Sequence, residues 1–286
     1  MTTITAFIKR HPLLTYFALA FALSWGAVFI VVGGIPGPKT QSEGLLPFAI
    51  LAMFAGPSVA GILLTGLIDG WAGLREFRSR LFRWQVGARW YAVALLTAPL
   101  SVMASLFALS LLSPAFLPGI LTTSDKASLL LIGIAAGLAT GCFEELGWTG
   151  FAVPRLRLRY GVFASGLFVG LLWGAWHFLV NLWGSDTSSG GLSLAFFLPA
   201  VLFSFLPAYR VLMVWVYDRT GSLLMAILMH ASLLAFWLIS TPTAISGVAL
   251  VTWYLVWAAV LWIVVAVVAV ANRGHLSRQP LRTRVA

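Results

Sequence analysis

The chain has few charged residues. Only 9% of its 286 residues are charged and eight are acidic, whereas 60% are hydrophobic. A soluble domain carries about 25% charged residues, so this composition excludes a surface solvated mainly by water and predicts one solvated by lipid. The chain has one cysteine, Cys142, which excludes an internal disulfide.

The chain has long uninterrupted runs of apolar residues. Crossing a hydrocarbon core of about 30 Å requires about 20 apolar residues in a helix. Runs such as WIVVAVVAVA do not alternate as the strands of a membrane barrel do. The predicted fold class is all-α, a polytopic membrane bundle of about eight transmembrane helices. The predicted spans are about 13–35, 45–68, 90–112, 128–147, 161–183, 193–217, 221–240 and 248–271.

The basic residues predict the orientation of the bundle. With both termini in the cytoplasm, all lysines and arginines except Lys39 and Lys126 face inward, as the positive-inside rule requires. The loop from Gly73 to Trp90 has the pattern of a basic amphipathic helix on the inner membrane face. Residues 273–286 are expected to be a basic cytoplasmic tail.

These features predict where the protein resides and what it contacts. We expect a multi-pass protein of a cell membrane, namely a bacterial cytoplasmic membrane, in which residues 1–286 form a single membrane-embedded domain. The expected partners are membrane lipids and a peptide or protein substrate at the cytoplasmic face. The net charge of +10 does not indicate nucleic-acid binding, because the arginines are not gathered on a soluble domain.

Two glutamates and two histidines lie inside predicted spans. Glu144 and Glu145 are adjacent on the fourth span, His177 is on the fifth, and His230 is on the seventh. A carboxylate at membrane depth costs at least about 2.5–3.5 kcal/mol, so such residues face the bundle interior or a wet cavity and indicate function. These four side chains are therefore predicted to meet in one site.

The chemistry that suits this set is peptide hydrolysis by activated water. A glutamate can take a proton from water, and two imidazoles can hold that water directly or through a metal. Adjacent residues on a helix point about 100° apart, so one glutamate is predicted to be the base and the other to orient a neighbour. The sequence leaves a metal-dependent and a metal-free site open. A divalent metal such as zinc would have Glu144, His177 and His230 as ligands.

The predicted depths of these residues do not agree. At about 1.5 Å per residue, Glu144 lies about 6 Å from the inner face, His230 about 14 Å and His177 about 24 Å. Either the fifth span starts inside the cytoplasm, or Glu144 lies deeper than the predicted end of its span allows.

Three segments resemble a known family. EELGWTGFAVPRL, WGAWHF and SLLMAILMHASLLAF are similar to the three motif regions of the CAAX-protease and bacteriocin-processing (CPBP) family, which includes the type II CAAX prenyl endopeptidases. The resemblance makes residues 128–240 the expected catalytic core. It implies that Glu144 is the water-activating base, supported by Glu145, and that His177 and His230 hold the water or a metal.

Two positions depart from the family motifs EExxxR, FxxxH and HxxxN. Thr149 occupies the position of the arginine and Leu234 that of the asparagine. Asn181, one turn after His177, is a candidate to supply the missing amide. Arg155 is a candidate to supply the missing charge.

The sequence supports three functions. The first is an intramembrane endopeptidase acting on membrane-presented, prenylated or CAAX-like substrates. The second, motivated by the two departures, is a weak or inactive family member that acts as a membrane immunity or interaction protein. The third is a proton-coupled transporter, against which no inverted repeat is evident.

Overall fold

The computed structural model describes residues 3–32, 43–185, 188–273 and 276–277, and these residues form a bundle of α-helices. The helices are α1 (Thr3–Arg10), α2 (Pro12–Val32), α3 (Leu46–Met53), α4 (Ala55–Leu81), α5 (Ala88–Ser110), α6 (Gly119–Thr122), α7 (Lys126–Gly147), α8 (Val153–Leu156), α9 (Val162–Trp176), α10 (Phe178–Gly184), α11 (Leu194–Phe203), α12 (Leu206–Thr220), α13 (Leu223–Ser240) and α14 (Gly247–Ala271). A π-helical turn, Trp148–Ala152, joins α7 to α8. Most of the predicted basic tail lies outside the described residues.

The helical segments agree with the predicted spans and confirm the all-α membrane fold. Within the described ranges, seven segments are long and apolar enough to cross a membrane. They are Pro12–Val32, Pro47–Leu81, Ala88–Ser110, Lys126–Leu156, Leu194–Thr220, Leu223–Ser240 and Gly247–Ala271. The predicted fifth span corresponds to the shorter helix α9 and to α10, which meet at His177.

A stripe of glycines on α7 lets α13 approach closely. Gly133, Gly137 and Gly141 recur every four residues and lie against α13, where an added Cβ would meet backbone or side-chain atoms of Ala231 and Ala235. Helices in lipid associate largely through such small-residue contacts, because lipid tails are as apolar as the side chains. This packing places the glutamates at the end of α7 beside His230.

A second stripe joins α9 to α12. Gly166 lies against Val211, and Gly170 lies against Pro207 and Arg210. The two helices therefore bring Arg210 beside the C-terminal turn of α9, where Trp173 and His177 lie.

Helix α4 bends at Gly70, which adopts φ 64° and ψ −154°. Beyond this kink, Arg75 and Arg78 are exposed and Phe77 is buried, and the helix ends at Leu81. The predicted amphipathic segment is thus helical over its first half, non-helical over residues 82–87, and ends in the first turn of α5.

Helix α7 has a defined start. The Asp125 carboxylate accepts a hydrogen bond from the backbone N–H of Ser128 at 3.0 Å, as an N-cap residue does. This bond holds the pKa of the Asp125 carboxyl below its usual range.

Candidate active site

The fourth span continues past its predicted end. The π-helical turn and α8 extend it to Leu156, twelve residues beyond Glu144. Glu144 therefore lies about 18 Å along the helix from that end, at 1.5 Å per residue. The predicted end of this span at residue 147 is therefore wrong. His177 lies fifteen residues, or about 22 Å, from the start of α9 at Val162. The two residues are thus at similar distances from these helix ends, which resolves the conflict between their predicted depths.

Glu144 is wholly buried, and its two carboxylate oxygens have different surroundings. Its Oε2 accepts hydrogen bonds from the indole N–H of Trp173 at 2.7 Å and of Trp148 at 3.3 Å. Its Oε1 has no hydrogen-bond partner among the described residues and lies 3.9 Å from Nε2 of His177. The two indoles fix the rotation of the carboxylate and leave one oxygen free beside an imidazole.

The side chain of Glu145 makes different contacts from that of Glu144, because adjacent residues on a helix point about 100° apart. Nη1 of Arg210 lies 2.8 Å from both of its carboxylate oxygens. His230 contacts Oε1 through Nδ1 at 2.7 Å, and the Thr149 hydroxyl donates to Oε2. Glu145 and Arg210 are both wholly buried and form an ion pair. The Glu145 carboxylate of this pair also contacts His230 and holds its side chain in place.

Both histidines direct their Nε2 atom toward Glu144. Nδ1 of His177 lies 2.8 Å from the backbone carbonyl of Trp173, and Nδ1 of His230 contacts the carboxylate of Glu145. Carbonyl and carboxylate oxygens accept, so Nδ1 carries the proton in both rings. Nε2 of His230 lies 4.0 Å from Oε2 of Glu144, and the His177 side chain is 24% exposed.

The predicted four-residue site is thus assembled from three helices, and comparison with known proteins identifies the segment that carries it. Residues 126–236 match the family model described as type II CAAX prenyl endopeptidase Rce1-like. The segment that carries the site is therefore similar to Rce1-like type II CAAX prenyl endopeptidases.

A relative is named CAAX prenyl protease 2, from Methanococcus maripaludis. It is 26% identical over 176 residues, which cover 59% of this chain. The chain spans 62% of the length of that relative, somewhat less than two thirds.

Arg210 supplies the charge that the Rce1-like motif arginine would bring. The motif position is Thr149, which donates only a hydroxyl to Glu145. The expectation that Arg155 would supply the charge is wrong, because Arg155 pairs with Asp69 and lies over the Phe151 ring, 3.6 Å from its centroid.

Arg210 was missed in the sequence because it was counted among the inward-facing topology charges. The structure places it in the bundle interior, 4.2 Å from the ring centroid of Trp173. A signal was present: Arg210 lies seven residues inside the predicted end of the sixth span, where an ionisable residue indicates a buried partner.

Two mainly apolar cavities adjoin the helices that carry Glu144, His177 and His230. One, of about 470 Å³, is lined by Glu144 and His177, and the other, of about 130 Å³, by His177 and His230. Leu234, at the position of the Rce1-like asparagine, lines both. Asn181 also lines both, and its Nδ2 donates to the His177 carbonyl at 2.9 Å, which leaves a second amide N–H.

The donor atoms suit zinc, but their spacing does not. Zinc with bonds of about 2.0–2.1 Å holds tetrahedral ligand atoms about 3.3 Å apart. A water hydrogen-bonded at about 2.8 Å bridges atoms roughly 4.0–4.6 Å apart. The observed separations between Glu144 and the imidazoles, 3.9 and 4.0 Å, are close to the water value. Among the described residues, no group of three His, Cys, Asp or Glu side chains is arranged to hold a metal.

Proposed function

We propose that this protein is an intramembrane endopeptidase that hydrolyses peptide bonds of membrane-presented substrates, including prenylated or CAAX-like C-termini. The observation that carries the proposal is the asymmetric environment of Glu144: two indoles hold Oε2, and Oε1 is free beside Nε2 of His177. A buried carboxylate with one unoccupied oxygen at a cavity wall is placed to receive a proton from water.

In the proposed mechanism Glu144 and His177 position one water. Oε1 of Glu144 accepts one O–H and Nε2 of His177 accepts the other, which directs the oxygen lone pair toward the substrate carbonyl. As the water oxygen bonds to the carbonyl carbon, its proton moves to Glu144. Glu144 then gives that proton to the leaving amine when the C–N bond breaks.

His230 stabilises the oxyanion of the tetrahedral intermediate. The Glu145 carboxylate supports an imidazolium at His230, in the way that the aspartate of a serine-protease triad supports its histidine. In this proposal His230 holds a proton on each ring nitrogen from the start and keeps both throughout the cycle, so its Nε2–H donates to the oxyanion without taking a proton from the water. Arg210 keeps Glu145 ionised and fixed in place, so it acts through Glu145 and does not touch the substrate.

Asn181 is the second proposed donor to the oxyanion. It lines both cavities, and one of its amide hydrogens is not used by the carbonyl of His177. Leu234 cannot donate. If Arg210 and Asn181 act as proposed, the changes at Thr149 and Leu234 do not require an inactive protein.

The apolar walls of the larger cavity suit an apolar substrate. They include Met53, Phe54, Val201 and Ile245. An isoprenoid or another hydrophobic chain entering from the lipid would bury its surface there, at about 25 cal/mol per Å². The relative named CAAX prenyl protease 2 supports this choice of substrate class.

The proposal is tested with purified full-length protein in lipid nanodiscs. Quenched fluorescent peptides with a farnesylated or unmodified C-terminal CAAX sequence are incubated with wild type and with Glu144→Gln. The glutamine keeps the size of the side chain, and its carbonyl oxygen can still accept the indole hydrogen bonds, but it cannot take a proton. Glu76→Gln is the matched control, because Glu76 is an exposed partner of Arg80.

We expect wild type and Glu76→Gln to cleave the farnesylated peptide and Glu144→Gln to be inactive. Mass spectrometry of the products identifies the cleaved bond and confirms that one oxygen from labelled water enters the new carboxyl group. Equal cleavage by Glu144→Gln and wild type would contradict the mechanism. Cleavage of both peptides at the same rate would keep the endopeptidase and reject the prenyl-directed substrate class.

A further inference from the structure

A third cavity, more polar than the two beside the catalytic residues, adjoins the C-terminal half of α12. It has a volume of about 310 Å³ and is lined by Arg89, Trp90, Val93, Trp215, Arg219 and Asn272. Its volume is at the lower end of the roughly 300–1,000 Å³ typical of small-molecule sites. It shares no lining residue with the two cavities beside Glu144 and His230.

Three helix ends build this cavity. Arg89 is in the first turn of α5, Arg219 is in the last turn of α12, and Asn272 directly follows α14. Two further arginines lie at the end of α12: Arg83 beside Gly221, and Arg157 in a pair with Asp218. The cavity is therefore placed near the level of lipid headgroups.

Two buried donors at the cavity have no partner. Nε of Arg219 and Nε1 of Trp215 make no hydrogen bond within the described residues. Nη2 of Arg219 is fixed by Oδ1 of Asn272 at 2.8 Å. Both atoms are shielded from a water-sized probe, so a group in the cavity reaches them only when the two side chains turn toward it.

The charge and the walls define the chemistry of that acceptor. Arg89 and Arg219 are the charged residues of the lining, which contains no carboxylate among the described residues. The adjacent Asp218 is held by Arg157 at 2.6 Å. Trp90 and Trp215 meet edge to face, with ring centroids 5.1 Å apart, and form an apolar wall beside the arginines.

We infer that this cavity binds a phosphate group, and that the headgroup of an anionic phospholipid supplies it. Guanidinium groups match phosphate oxygens through paired hydrogen bonds. Trp90, Trp215 and Val93 suit the glycerol backbone and the first acyl carbons, as aromatic residues at a membrane interface do. Anionic lipids are enriched at the basic face of such proteins by the same charge.

The experiment titrates the purified full-length protein in detergent with three probes. Phosphatidylglycerol and phosphatidylcholine are each measured by native mass spectrometry, which counts bound lipids, and inorganic phosphate is measured by calorimetry. The variants are Arg219→Gln, Arg89→Gln and Trp215→Phe. Arg89→Gln changes an exposed residue and tests the site even if Arg219→Gln lowers stability. Arg78→Gln, an exposed arginine on α4, is the matched control.

We expect one phosphatidylglycerol to bind with an affinity that Arg219→Gln and Arg89→Gln each weaken by roughly tenfold, equivalent to about 1.4 kcal/mol. Arg78→Gln should bind as wild type does, and phosphatidylcholine should bind more weakly. Inorganic phosphate binding that depends on the same arginines, without saturable lipid binding, would keep the phosphate site and reject the lipid as its source. Equal lipid binding by wild type and all variants would overturn the inference.

Discussion

Arg210 and Glu145 form a wholly buried ion pair, with Nη1 of the arginine 2.8 Å from both carboxylate oxygens. The two residues are far apart in sequence, on α12 and α7. The resemblance implied a contact between a glutamate and an arginine four residues later on one helix, but Thr149 stands at that position and Arg210 of another helix makes the contact. A charge needed at one point of the site is thus supplied from a different helix.

The first prediction follows from this pair. Arg210→Met should lower both stability and cleavage, because it leaves Glu145 charged and buried without its partner. Removing one partner of a buried pair costs about 3–5 kcal/mol. Thr149→Arg combined with Arg210→Met should recover much of the activity, because it restores the arginine at the motif position.

Thermal unfolding in detergent and peptide cleavage measure these effects. Arg155→Met is the control, since it removes a guanidinium that pairs with Asp69 outside the site. The account is wrong if Arg155→Met impairs cleavage as much as Arg210→Met, or if Arg210→Met has no effect.

The second prediction concerns the indole that holds Glu144. Trp173→Phe keeps an aromatic ring and removes the N–H that lies 2.7 Å from Oε2. A hydrogen bond to a charged group contributes about 1.5–3 kcal/mol, and Trp148 retains the second bond. We therefore expect kcat to fall by about tenfold, with little change in KM.

Trp176→Phe is the matched control for that experiment. Trp176 is also buried beside the site, but its indole N–H has no partner among the described residues. Its kcat should stay within about twofold of wild type. Similar losses in the two variants would show that ring packing, and not the hydrogen bond to Glu144, is responsible.

The third prediction concerns the oxyanion donor. Asn181→Leu should lower kcat by about 10²–10³, the usual effect of losing one such donor. Leu234→Asn in the same protein should restore part of the rate, because it returns an amide to the family position on the wall of both cavities. Unchanged cleavage by Asn181→Leu would remove Asn181 from the mechanism.

The fourth prediction concerns metal. The spacing of 3.9–4.0 Å between Glu144 and the imidazoles fits a bridging water, so prolonged dialysis against a chelator should leave cleavage unchanged. Elemental analysis of the purified protein accompanies the assay. Loss of activity on chelation that added zinc restores would contradict the proposed metal-free mechanism.

The fifth prediction concerns the packing that assembles the site. Gly137→Ala places a Cβ against Ala231 and Ala235 of α13, whereas Gly26→Ala on α2 meets nothing within 4 Å. Overpacking costs about 1–3 kcal/mol, so Gly137→Ala should lower both the unfolding temperature and cleavage. Gly26→Ala should leave both unchanged, and an equal loss in the two variants would contradict the role of the stripe.

The sequence predicted the spans well, because long apolar runs allow little but helices in lipid. It also predicted that Glu144, Glu145, His177 and His230 belong together, because polar groups buried in a membrane need one another. The predicted end of the fourth span was wrong, because the π-helical turn Trp148–Ala152 carries the helical segment on to Leu156, past two glycines and a proline that usually end a helix.

The pairing of Arg210 could not be read from the sequence, because spacing along one helix does not reveal which other helix packs against it. Arg155 was the nearest candidate in sequence, but the kink and length of α4 bring Asp69 to it instead. The different surroundings of the two oxygens of Glu144 likewise depend on where Trp148 and Trp173 lie in three dimensions.

The most direct test of the central claim is the single-turnover rate of farnesylated-peptide cleavage by Glu144→Gln beside wild type, in the same nanodiscs and at saturating enzyme. If Glu144 takes the proton from the attacking water, the rate should fall by at least about 10²–10⁴, the contribution of a general base, while the peptide still binds. A Glu144→Gln enzyme that cleaves at close to the wild-type rate would contradict the account.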